Sequence, residues 1–210
     1  MSAGALVALG GLVLLVAGLA LYERGRSGSR EIGLVAVLIA AASAGRVLFV
    51  AVPGAQPITA IAIIAGVALG PRAGVAVGAG SALVSNAFLG QGPWTPWQML
   101  LWGAAGLAGG LLAPTLRRSR WALVGLGVVV SAAFGALMDV WQLAAFGPSL
   151  SLTAFAAVHV RAVPFDIAHA VATATILGLT GPSLIALVDR SAVRVRGRWT
   201  TPPTAGEAGP

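Results

Sequence analysis

The chain contains no cysteine and no lysine, and it is poor in charge of either sign. Without cysteine there are no disulfides and no thiolate metal sites, and the redox compartment leaves no trace. Charged residues make up 9% of the 210 residues, against about 25% in a soluble domain. Hydrophobic residues reach 58% and the mean hydropathy is +0.92, so this much apolar surface cannot be kept off water within one globule. The composition is that of an integral membrane protein. His159 and His169 are the only histidines, and no His-Glu-x-x-His spacing occurs. The run GAGSALVSN (78–86) has no lysine for a nucleotide loop, and there is no Gly-x-Ser-x-Gly elbow. No catalytic residue, metal or cofactor is expected, and the chain does not read as an enzyme.

What is present is a series of apolar runs punctuated by arginine. Residues 3–22 are uncharged over about the 20 residues that cross a bilayer. A basic linker (23–31) follows, then a second span (33–52) stopped by Pro53, and the uncharged loop PGAQP with Gln56. From Pro57 to Gly90 one helix would run about 50 Å, well beyond a hydrocarbon core of about 30 Å. Gly70-Pro71-Arg72 divides it into spans 58–70 and 73–89. The first of these is short and suited to sinking into the protein. Further spans cover 98–113, 121–146 and 166–188, the last introduced by Arg161 and Pro164. The tail beyond Arg190 is basic, then rich in Pro, Thr and Gly, which predicts disorder.

Seven spans bring 11 of the 13 arginines to one side, which the positive-inside rule makes cytoplasmic. The expectation is a multi-pass plasma-membrane protein with its N-terminus outside and its C-terminus in the cytoplasm.

With that topology the intramembrane polar residues gather in the outer half. They are Arg46, Asn86, Gln98, Asp139, Gln142, Asp166 and His169, and such residues usually face a cavity or a partner. Each also has a structural reading: Arg46 can snorkel to headgroups, Asn86 can cap a helix, and His169 can bond between helices. The stretch NAFLGQGPWTPWQMLLW (86–102) lies on the same side, broken by Gly90, Gly92, Pro93 and Pro96. Its tryptophans suit a membrane interface, or the lip of a site. As a site, Trp94, Trp97 and Trp102 offer stacking surfaces, while Gln56, Gln91 and the outer-half residues offer polar contacts. On the second span Ala36, Ala40 and Ala44 recur every four residues, a small-residue face for another helix.

The segments PGAQPITAIAIIAGVALGPRAG (53–74), SNAFLGQGPWTPWQMLLWG (85–103) and VPFDIAHA (163–170) resemble the substrate-binding S components of energy-coupling factor (ECF) vitamin transporters. The resemblance covers roughly residues 31–190. It implies an all-α, six-helix membrane domain there, with residues 1–30 an added transmembrane helix and linker, and 191–210 a cytoplasmic tail. It implies capture from outside of a vitamin or precursor, of the cobalamin kind, in a bacterial membrane. It also implies partnership with a transmembrane T subunit, met through Ala36, Ala40 and Ala44, and with two ATPase subunits. The rival expectation is an autonomous proton-coupled secondary transporter using Asp139, Asp166 and His169 as a relay.

Overall fold

Proline and glycine punctuation decides where each helix starts and stops. The computed structural model describes residues 29–147 and 150–196. Their elements are α1 (Ser29–Leu48), α2 (Pro57–Leu69), α3 (Pro71–Leu89), α4 (Thr95–Leu111), the short α5 (Ala113–Leu116), α6 (Arg120–Phe146) and α7 (Leu152–Arg196), with no strand among the described residues. Pro57, Pro71, Pro96 and Pro114 sit in the first two positions of α2, α3, α4 and α5. Proline fits there because that N–H has no intrahelical partner to lose. Ser119 starts α6, its Oγ accepting from the Ala122 amide at 3.2 Å. The expected break between α2 and α3 comes down to one residue, Gly70, at φ 99. A side chain there would be strained.

Three of the helices, within α1, α6 and α7, are long and apolar enough to cross a membrane. Val37, Leu111, Trp121, Val129 and Leu179 stand exposed on the bundle surface, which suits lipid rather than water. The protein is a helical membrane protein. The expected span at 3–22 lies outside the described residues, as do Arg24, Arg26 and residues 197–210.

α2 is the centre of the bundle. It is 13 residues long, about 20 Å, and ten of its residues are buried. It packs on α1, α3, α4 and α7, so the short span is indeed sunk within the protein. The close approach is made by glycine. A Cβ on Gly66 of α2 or Gly74 of α3 would strike the carbonyl of Gly106 in α4, and one on Gly78 would strike that of Trp102. The three backbones touch, as small residues allow in membrane helices.

One half of the bundle is filled by an apolar cluster containing Ile63, Ile64, Val67, Leu116, Leu123, Leu177, Ile185 and Val188. At that end Arg117 is held by Asp189, with Nη1–Oδ2 at 2.6 Å, and its Nη2 donates to the Val67 carbonyl at 2.8 Å near the end of α2. The hydrogen bond to Asp189 raises the Arg117 guanidinium pKa above its ordinary value, so Arg117 keeps its positive charge in this pair at neutral pH. It is exposed, and exposed pairs contribute about 1 kcal/mol or less. Arg117→Ala is therefore expected to lower the melting temperature in detergent only slightly, read by differential scanning fluorimetry.

α7 departs from the expected span of 166–188. It is one helix of 45 residues with Pro164 and Pro182 inside it, about 67 Å long. Its start is set by Ser151, whose Oγ accepts from the Ala154 amide at 3.2 Å. Each internal proline forfeits one backbone hydrogen bond, a loss tolerated where neighbouring helices support the segment. α6 supplies that support, lying antiparallel along α7. At its far end the helix also continues to Arg196, into the region expected to be tail.

A cavity between α6 and α7 and the network behind it

The polar residues gather at the end opposite Arg117, but in two groups. The first is a continuous internal network. Arg46, in the last turn of α1, donates through Nη1 to Ser85 Oγ at 2.7 Å and Asn86 Oδ1 at 2.6 Å. Asn86 Nδ2 donates onward to Thr95 Oγ1 and Gln98 Oε1, both at 2.9 Å. The Thr95 hydroxyl donates to Gln91 Oε1 at 2.9 Å, and Gln91 Nε2 donates to the Leu83 carbonyl at 3.0 Å. The Arg46 guanidinium also lies over the Trp102 ring, 4.9 Å from its centroid. Trp102 is fully buried. Its Nε1 donates to Thr59 Oγ1 at 2.9 Å, and Thr59 shares a 2.7 Å hydrogen bond with His169 Nε2.

The second group lines a cavity of about 440 Å³, within the usual range of roughly 300–1,000 Å³ for small-molecule sites. α6 contributes Phe134, Gly135, Met138, Asp139 and Gln142, and α7 contributes Val158, Arg161, Ala162, Phe165, Asp166 and His169. Both sets recur at three- and four-residue intervals, so each is one helical face. Gly54 and Gln56 close the third side. Gly54 has φ 77, and a Cβ on it would meet the Phe165 carbonyl at 2.6 Å. The loop thus lies flat on α7 because residue 54 is glycine. On α6, Gly135 makes room for the Asp166 carboxylate, which a Cβ would strike.

Two carboxylates meet beside this cavity with a histidine between them. His159 Nδ1 is 2.7 Å from Asp139 Oδ2 and 3.7 Å from Asp166 Oδ2. The three potential ligand atoms lie within 4.8 Å of one another. Ligands on one ion at about 2.0–2.2 Å bonds and tetrahedral angles stand roughly 3.3–3.6 Å apart. The 2.7 Å contact between Asp139 and His159 is shorter than that and is hydrogen-bond spacing. Asp166 Oδ2 and Gln56 Oε1 are buried and accept no hydrogen bond.

Of the twelve residues read as polar or aromatic contacts, five line the cavity: Gln56, Asp139, Gln142, Asp166 and His169. Arg46, Asn86, Gln91, Gln98 and Trp102 are committed to the internal network. Trp94 and Trp97 pack structurally rather than on the cavity wall. Trp97 Nε1 donates to the Leu137 carbonyl at 3.0 Å, and Trp94 meets Trp141 edge-on at 6.3 Å. The 86–102 stretch therefore braces the bundle and contributes no residue to the wall of this cavity. Tryptophan N–H groups and glutamine amides in a membrane helix end favour partners, and in this stretch Trp97, Trp102, Gln91 and Gln98 find them within the protein. Ala36, Ala40 and Ala44 are all exposed on α1.

Sequence reading missed Phe134, Arg161, Phe165 and the full part of His159. All but Phe134 fall in the stretch before residue 166, taken as a connection because of Pro164. The available signal was spacing: His159 and Asp166 are seven apart, two turns on one helical face. No protein-family model, curated protein or solved structure matches this chain.

Proposed function

We propose that the chain is the membrane-embedded substrate-binding subunit of an ATP-driven importer of the energy-coupling factor type. It would take a vitamin or precursor from outside into the cavity between α6, α7 and the 53–56 loop. The observation that carries this reading is the asymmetry of the bundle. One end has a polar cavity, and the other is filled by the Ile63–Leu123–Leu177 cluster. A binding subunit needs a pocket open to one side and relies on partners to deliver what it holds. The alanine face of α1 suits such a partner, since Ala36, Ala40 and Ala44 are exposed among the described residues. At about 440 Å³ the cavity favours a compact ring system over a whole cobalamin.

The Asp139–His159–Asp166 contact is the observation that favours the rival, a proton-coupled secondary transporter. The close-packed apolar half argues against it, because among the described residues that half is filled by aliphatic side chains.

The test is purification in detergent and mass spectrometry of any co-purified small molecule, paired with uptake in cells. Transport by the chain alone in liposomes under a proton gradient would overturn the proposal. Replacing Ala36 and Ala40 together by tryptophan is expected to abolish cellular uptake while ligand binding in detergent persists. Unimpaired uptake by that variant would remove the partner face.

A further inference from the structure

Three buried side-chain polar atoms lack a partner among the described residues: Gln56 Oε1, Asp166 Oδ2 and Trp141 Nε1. The first two are acceptors, and both residues wall the same cavity. An ionised carboxylate can only accept, and an unpaired buried acceptor is costly. The charges point the same way. Asp139 is occupied by His159 at 2.7 Å, whereas Asp166 is 3.7 Å from that imidazole. Arg161 lines the cavity but is ion-paired to neither carboxylate. Phe134 and Phe165 add flat apolar wall.

From this we infer that the cavity selects a compact, flat, cationic solute bearing N–H donors, with Asp166 as its anchoring carboxylate and Gln56 as a second acceptor. An amidinium or a protonated aminoheterocycle fits this description: its charged edge meets Asp166 and its ring lies against the phenylalanines. A lone metal ion would leave most of this space unfilled. This inference rests on the cavity being the substrate site, and it adds the charge and donor pattern of what binds there.

Three probes of nearly one shape test it: benzamidine (cationic, rich in N–H donors), benzamide (neutral) and benzoate (anionic, no donor). Calorimetry on the purified full chain in uncharged detergent should show benzamidine binding about tenfold or more tightly than benzamide, and benzoate weakest. Asp166→Asn should bring benzamidine down to the benzamide level. Gln56→Leu should weaken both by a similar factor and preserve their ranking. Circular dichroism melts establish that each variant is folded, and the ranking on the unmodified chain needs no variant at all. Equal binding of the three, no binding of any, a preference for benzoate, or zinc that excludes benzamidine would each overturn the inference. So would full benzamidine preference in folded Asp166→Asn. These outcomes are separable from the importer itself. Loss of partner-dependent uptake with an intact benzamidine preference would sink the importer alone, and the reverse result would sink the charge selection alone.

Discussion

Asn86→Leu is expected to destabilise the protein by about 1.5–3 kcal/mol, the worth of a hydrogen bond to a charged group. Asn86 is 1% exposed, and its side chain accepts from Arg46 at 2.6 Å while donating to Thr95 and Gln98. No carboxylate pairs with Arg46 among the described residues. The cation is held instead by Asn86 Oδ1, Ser85 Oγ and the Trp102 ring. Removing the amide takes the shortest of these contacts and also removes the Asn86 donor to Thr95 Oγ1 and Gln98 Oε1. Arg46→Met in the same background removes the charge that lost its partner. The double variant should therefore unfold later than Asn86→Leu alone in a denaturing-detergent titration. Strict additivity of the two changes would contradict the coupling.

The second large effect is expected at Gly106. Its Cβ position falls on the Gly74 backbone, while those of Gly66 and Gly74 fall on its own carbonyl. Here the obstacle is main chain and cannot turn aside as a side chain would. Gly106→Ala should cost about 1–3 kcal/mol or more, as overpacking does, and Gly106→Leu should prevent folding of the α2–α3–α4 core. Gly103→Ala is the control. A Cβ at Gly103 meets Val75 at 3.6 Å, an ordinary contact, and the variant should melt close to the unmodified chain. Monodisperse elution in detergent and a thermal melt read both; a Gly106→Ala protein as stable as the Gly103→Ala one would refute the backbone contact.

Much of the architecture was legible in the chain because its signals are local. Pro57, Pro71 and Pro96 mark helix starts wherever they occur, since a missing N–H does harm only beyond the first turn. Gly70 reads as a turn for the same kind of reason. Pro164 misled because its cost is not local. A helix continues past it when a neighbour supports both sides, and α6 is 120–146 in sequence while meeting α7 from His159 to Gly181 in space. Losing that helical segment also lost His159, Arg161 and Phe165 from the expected site.

By itself, the sequence determined that this is an apolar, all-helical chain with a few polar residues set inside its apolar runs. Those properties follow from composition and from the high cost of placing polar groups in hydrocarbon. Only the tertiary structure decided which polar residues are available. Asn86, Gln98 and Trp102 look as free as Asp166 and Gln142 when read along the chain. Folding spends the first three on one another and on Arg46, because hydrogen bonds inside a membrane must be closed by whatever packs opposite. Asp166 keeps an unpartnered oxygen because Gly135 opposite it has no side chain to offer. That pairing is set by how two distant helices meet, which no local spacing encodes.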